Sequence, residues 1–288
     1  MTVVSDVSVS GPVSTTPRER PNWIAGVFAA IWLVIVGVPI YTMISWSLQE
    51  RDDFLDHGPI ALPRAITLEN LTEVLTGGFT RYLLNTVIVT VVCVALTLAV
   101  SIPAAYAIVR STTWLSGFAF RVFLLGLAIP AQATIIPLYL IINRMQLYDS
   151  LTAIILPTVA FGLPLSILVL AGSLRDVSNE LYDAMTIDGA GPFRILWQLI
   201  VPMSKGSIAA VGTYAALGAW NQFLFPLILT QNPDLRVLTL GLQRYRQEFS
   251  INLPGMMMAV MLTALPVFVL YLVARRWLIA GLAGMGSR

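Results

Sequence analysis

Three carboxylates, Glu180, Asp183 and Asp188, stand in the stretch ELYDAMTIDGAGPFRILWQLIVP at residues 180–202. A carboxylate can move protons, ligate a metal, stabilise a helix end or pair with a basic partner. Proton transfer needs a reacting group close by, and a metal needs three or four converging ligands. The stretch contains no His and no Cys. The single histidine, His57, lies among acids in a polar segment and reads as a solvated residue, while the single cysteine, Cys93, lies in an apolar run. GxxxxGK[ST], HExxH and GxSxG are all absent. No catalytic residue, metal or bound cofactor is therefore expected on this chain, and if ATP powers the protein, another chain binds it.

The spacing around these acids predicts two short helices. Ser178 suits an N-cap, with Glu180 and Asp183 in the opening turns where negative charge favours the helix dipole. Leu181, Ala184, Met185 and Asp188 follow at helical spacing, and Gly189 can take the left-handed conformation that ends a helix. Pro192 opens the second helix, Phe193, Leu196, Trp197 and Ile200 repeat the apolar spacing, and Pro202 helps to stop it. Isolated helices shorter than ~12–15 residues are marginal in water, so something must pack on both. That partner is either the chain's own inner ends and the lipid interface, or a cytoplasmic protein.

The rest of the chain is a membrane protein by composition. Of its 288 residues 57% are apolar and only 11% charged, against roughly 25% charged in an ordinary soluble domain. The net charge of +2, with no Lys/Arg run, excludes nucleic acid as a partner. Six uncharged windows of at least 22 residues predict an all-α membrane protein with six transmembrane helices near 24–46, 83–109, 121–142, 151–173, 207–229 and 254–274. The first helix is too long for a cleaved signal core and reads as an uncleaved span. Residues 1–22 read as a disordered cytoplasmic tail, 23–275 as the six-helix transmembrane domain and 276–288 as a cytoplasmic C-terminal tail.

Ten Lys/Arg fall on the side of the termini and seven on the other, which favours both termini inside. Residues 174–206 are then the long inner loop, and 47–80 and 230–253 the long outer segments. The outer run ERDDFLD at 50–56 carries a net charge of −3 and reads as solvated. Prolines 39, 103, 130, 137, 157, 164, 226 and 266 interrupt the spans. A broken backbone bond in lipid must be satisfied by protein or a water-filled cavity, so this density suggests bent helices around a pathway, or ordinary kinks in a structural bundle.

The 180–202 stretch resembles the conserved cytoplasmic EAA loop of permease subunits in bacterial ATP-binding-cassette importers. Asp183, Ala184 and Met185 take the Glu-Ala-Ala positions, followed by Asp188-Gly189-Ala190 and Val201-Pro202. Asp for Glu and Met for Ala are departures from the pattern. WNQFLFPLILT (220–230), LTLGLQRYRQEF (238–249) and ARRWLIAGLAGMGSR (274–288) are similar to the smaller six-helix subunit of maltose and glycerol-phosphate importers.

This resemblance implies a complex of this chain with a second homologous permease, two ATPase subunits holding ATP and Mg, and an extracytoplasmic solute-binding protein. Residues 178–202 would be the coupling loop of a multi-pass plasma-membrane protein. Glu180, Asp183 and Asp188 would supply charge to the ATPase contact, Gly189 the turn and Ala190 close approach. Phe193, Leu196 and Trp197 would anchor the second helix. Arg236, Arg244, Tyr245 and Arg246 would meet the solute-binding protein.

Polar side chains within spans bond neighbouring helices or line a cavity. Trp220, Asn221 and Gln222 could line a sugar pathway, and Asn85, Gln132 and Tyr106 are further polar groups within spans. Importers of non-sugar solutes remain an alternative. A secondary transporter is disfavoured because the six windows hold no charged residue and the halves show no clear repeat.

Overall fold

The computed structural model describes residues 23–51, 53, 65–111, 113–245 and 252–283. Among these the regular structure is all helix, in agreement with the all-α expectation. His57, Arg246 and the expected N-terminal tail lie outside the described residues.

Contacts within the chain divide it after Thr42. Helix α1, Trp23–Ser47, crosses that division, and from Trp23 to Thr42 no side chain is buried. A helix apolar on all sides suits lipid or the interior of a larger assembly.

The second unit begins at Met43 within α1 and continues with α2, Glu69–Val74, joined by a kinked turn at Leu75–Phe79 to α3, Thr80–Arg110. The kink sits at Gly78, whose φ of +95° suits glycine. Then come α4, Trp114–Leu125, α5, Ile135–Arg144, and α6, Leu151–Arg175. The stretch after it holds α7, Asn179–Ile187, and α8, Pro192–Met203, followed by α9, Lys205–Trp220. α10, Leu224–Leu229, the short α11, Leu238–Gly241, and α12, Leu253–Ala283, complete the order. α3 and α6 form the centre; α9 packs on both, and α12 packs on α9 and α2.

By length and apolar character α1, the α2–α3 unit and α6 can each cross a membrane, and two bent pairs raise that number to as many as five. Two expected spans are corrected. The span expected at 121–142 is broken: α4 and α5 meet at 95° across Ile129 and Pro130, which are extended. Proline drives its predecessor out of the helical region, and Ile129 obeys. The span expected at 207–229 stops at Trp220 and restarts as α10. Pro226 has no N–H for the Gln222 carbonyl four residues earlier, and the Thr239 hydroxyl donates to that carbonyl at 2.7 Å instead. Prolines 39, 103, 157, 164 and 266 remain inside helices. Helix α12 runs to Ala283, so residues 276–283 of the expected tail prolong a helix.

Candidate coupling loop and cleft

The loop is built by local signals. The Ser178 Oγ accepts from the Glu180 N–H at 3.2 Å and opens α7. At the other end Gly189 has φ +76°, its N–H donates to Thr186 O at 3.0 Å, and the Ala190 N–H reaches back to Met185 O at 2.9 Å. That pair of bonds is a Schellman closure, which satisfies carbonyls the helix end leaves free. Pro192 stands in the first turn of α8, where a missing N–H costs nothing. α8 widens into a π turn at Leu196–Ile200, and an 81° bend then sends the chain into α9.

One face of this unit is anchored on the chain itself. Tyr182, Ala190, Ile195, Leu196 and Ile200 are buried against Ala105 of α3, Leu170, Ala171 and Leu174 of α6, and Val211 of α9. The buried stripe differs from the expected one. Leu196 and Ile200 are inside as expected, but Phe193 and Trp197 are 80% and 60% exposed and do not anchor α8 on this chain. In α7, Leu181 and Ala184 are exposed and Met185 is half-buried, while Tyr182 is only 1% exposed. An aromatic ring buries far more area than Ala, so the face that holds Tyr182 turns inward.

Tyr182 sits in a clamp formed by the C-terminal end of α3. Its ring stacks on Tyr106 at 6.5 Å between centroids and 15° between planes, and the Arg110 guanidinium lies 4.1 Å from its centroid. Arg110 also donates to Asn179 Oδ1 at 3.0 Å. Burial raises the Tyr182 hydroxyl pKa, against the opposing charge of Arg110. The hydroxyl itself is buried without a hydrogen-bond partner.

The opposite face of the loop is open. Glu180, Asp183 and Asp188 are all exposed, and among the described residues none forms an ion pair. Exposed apolar residues occur in the same stretch: Ile187 is 86% exposed, and Phe193 and Trp197 line an open apolar groove with Ile102, Tyr106 and Arg110 of α3. Gly189 has no atom within 4 Å of where a Cβ would stand. Acids interspersed with large exposed apolar side chains make a surface suited to protein contact.

Of the expected pathway residues, Trp220 and Asn221 line a cleft of about 520 Å³ between α9 and α12. Thr213, Thr263, Phe268 and Tyr271 line it too, and every lining residue is uncharged. The Asn221 amide donates to Leu217 O at 2.9 Å in its own helix and is exposed on the cleft side chain by side chain with Trp220. Gln222 is outside this lining. Asn85 is a structural bond: its buried amide donates to Asp234 O at 2.8 Å and Arg236 O at 2.9 Å. Tyr106 belongs to the clamp, and Gln132 is exposed in the turn Ala131–Thr134.

Glu50, Arg51, Glu73, Arg244 and Asn252 share a polar recess of about 380 Å³. Arg244 reaches Gly77 O, and Asn252 donates to Glu73 Oε2 at 3.1 Å. Tyr245 is buried beside them, and that burial pushes its hydroxyl up to about 12. Arg236 is tied through its carbonyl to Asn85 and lies outside the recess. No group of three or more His, Cys, Asp or Glu able to hold a metal occurs among the described residues.

Several apolar helices long enough to span, a packed two-helix loop with an open outer face and an uncharged cleft together define a membrane-embedded transport subunit. The match of residues 97–283 to binding-protein-dependent transport system inner membrane components makes the family explicit: this chain belongs to it. The diacetylchitobiose uptake system permease protein NgcG of Streptomyces coelicolor is 33% identical over 260 residues, covering 89% of this chain and 85% of that protein. The arabinooligosaccharides transport system permease protein AraQ of Halalkalibacterium halodurans is 26% identical, with 93% and 96% covered. A chain of a bacterial ABC transporter that imports the acidic polysaccharide alginate shares the fold, with a TM-score of 0.76 at 20% identity, covering 91% of this chain and 99% of that one.

Proposed function

We propose that this chain is a permease subunit of an ATP-driven importer, forming with a second homologous permease the membrane pathway for a sugar or sugar derivative. The observation that carries this reading is the loop at 178–202, packed on its own bundle through one face while its acids, Ile187, Phe193 and Trp197 stay exposed. In this reading the outer face docks on one of two ATPase subunits. ATP and Mg are held by those subunits, and this chain contributes no catalytic residue. Membership of the family and the sugar-uptake names of NgcG and AraQ support a carbohydrate cargo. Six spans with both termini in the cytoplasm would place the loop on the ATPase side and the recess at Arg244 and Tyr245 on the side of a solute-binding protein.

The cleft suits such a cargo. Sugar rings present apolar faces to aromatic side chains and hydroxyls to amides, and Trp220, Phe268, Tyr271 and Asn221 supply both. The test is reconstitution of the chain with its gene neighbours in proteoliposomes, followed by ATPase assays against a panel of sugars in the presence of the binding protein. Stimulation by a sugar is the expected result. Stimulation by amino acids or ions alone would overturn the carbohydrate assignment.

A further inference from the structure

The clamp around Tyr182 does more than bury an aromatic ring. Tyr106 and Arg110 are one helical turn apart on α3, and Asn179 and Tyr182 are one turn apart on α7, so two matched faces meet. All the contacts lie within the last two turns of α3. That helix has 31 residues, about 46 Å at 1.5 Å per residue, which is enough to cross a bilayer. Its far end is held as firmly. Asn85 bonds the carbonyls of Asp234 and Arg236, the Leu238 N–H donates to Thr86 Oγ1 at 2.9 Å, and Arg81 pairs with Asp234. One continuous helix is therefore bolted at one end to the loop and at the other to residues 234–238.

We propose that the Tyr106–Tyr182–Arg110 clamp transmits movement of the loop into α3, and through α3 to the outer segment at 234–238. This rests on the reading of residues 178–202 as the coupling loop. The chemistry suits the task. Ring stacking and a guanidinium over a ring resist sideways slip, and buried packing moves as a unit. The Tyr182 hydroxyl makes no bond, so the ring and not the hydroxyl carries the contact. Tyr182, Tyr106 and Arg110 are thus positioning residues that touch neither nucleotide nor solute.

The experiment uses the whole importer in proteoliposomes and reads solute moved per ATP hydrolysed, together with ATPase subunits retained on purification. Tyr182→Phe is expected to keep the wild-type ratio. Tyr182→Leu is expected to keep the ATPases bound and hydrolysing while solute per ATP falls at least tenfold. Arg110→Ala should fall in the same direction, and the double variant should be no worse than the lower of the two, since both break one device. A wild-type ratio for Tyr182→Leu overturns the proposal, as does loss of the ATPases from that variant, which would make the residue a support for docking alone. Ile187→Glu, at a residue 86% exposed and away from the clamp, separates the two readings. If it releases the ATPases while Tyr182→Leu transports normally, only the clamp fails; if it leaves the ATPases bound, the docking surface fails as well.

Discussion

Replacing Gly189 tests the loop with little ambiguity, because two substitutions there strain the turn to different, calculable extents. The residue has φ +76° and no atom within 4 Å of a would-be Cβ. Gly189→Ala therefore meets no steric neighbour and bears only the left-handed backbone penalty, roughly 1–2 kcal/mol for an L-residue. That energy corresponds to a factor of about 5–30 in the equilibrium between the closed and opened loop. Gly189→Pro fixes φ near −65° and also removes the N–H that donates to Thr186 O at 3.0 Å. The cost is then about 3 kcal/mol or more, on the order of 100-fold in loop opening. Amide hydrogen exchange on the purified complex reads this directly, since exchange across α7 and α8 follows the opening free energy. Gly189→Ala should accelerate it about 5–30-fold and Gly189→Pro by on the order of 100-fold or more. The proline variant should still insert in the membrane yet hydrolyse ATP without moving solute. Wild-type exchange and transport in Gly189→Pro would refute the reasoning, because the Schellman closure could then be dispensed with.

Other positions give independent checks. A Cβ on Gly241 would stand 2.5 Å from Tyr82 Cδ2, so Gly241→Ala should lower thermal stability by about 1–3 kcal/mol without altering solute preference, measured by thermal denaturation in detergent. Asn85→Leu strips the donor from the carbonyls of Asp234 and Arg236 and should cost about 1–3 kcal/mol, again in thermal denaturation. Asn221→Ala removes an exposed amide from the cleft wall and should raise the KM for uptake severalfold at unchanged assembly; uptake at wild-type KM would argue against solute contact. Ile187→Glu should weaken retention of the ATPases while leaving the buried face of α7 intact, read by copurification.

The features legible in the sequence are those set by short-range chemistry. Ser178 as a cap, Gly189 as a left-handed terminator and Pro192 as an opener depend on residues within one or two turns, and all three take those places. The clamp was hidden because its partners come from a distant helix: nothing near Tyr182 announces Tyr106 or Arg110, and apolar spacing favoured Leu181 and Ala184 instead. The same limit explains Phe193 and Trp197, whose helical spacing matches Leu196 but whose side chains line an open groove against α3 and not the packed core. Proline was ambiguous for a related reason. Pro157 and Pro164 stay within α6, whereas the chain breaks at Pro130 and before Pro226. What decides is the neighbourhood, as with the Thr239 hydroxyl that takes up the Gln222 carbonyl. Asn85 and Asn221 look alike as polar residues in apolar windows, yet one is a buried strut and the other faces a cleft.

The central claim is that this chain moves a sugar only in concert with ATPase subunits docked on the loop at 178–202. Its most direct test is copurification of the chain with its partners from membranes, followed by sugar-dependent ATP hydrolysis in proteoliposomes, each done with wild type and with Phe193→Asp. The expected result is a complex whose hydrolysis rises with binding protein and sugar, and loss of both the ATPases and the response in the variant. Sugar uptake by the chain without any ATPase, or full activity in Phe193→Asp, would contradict it.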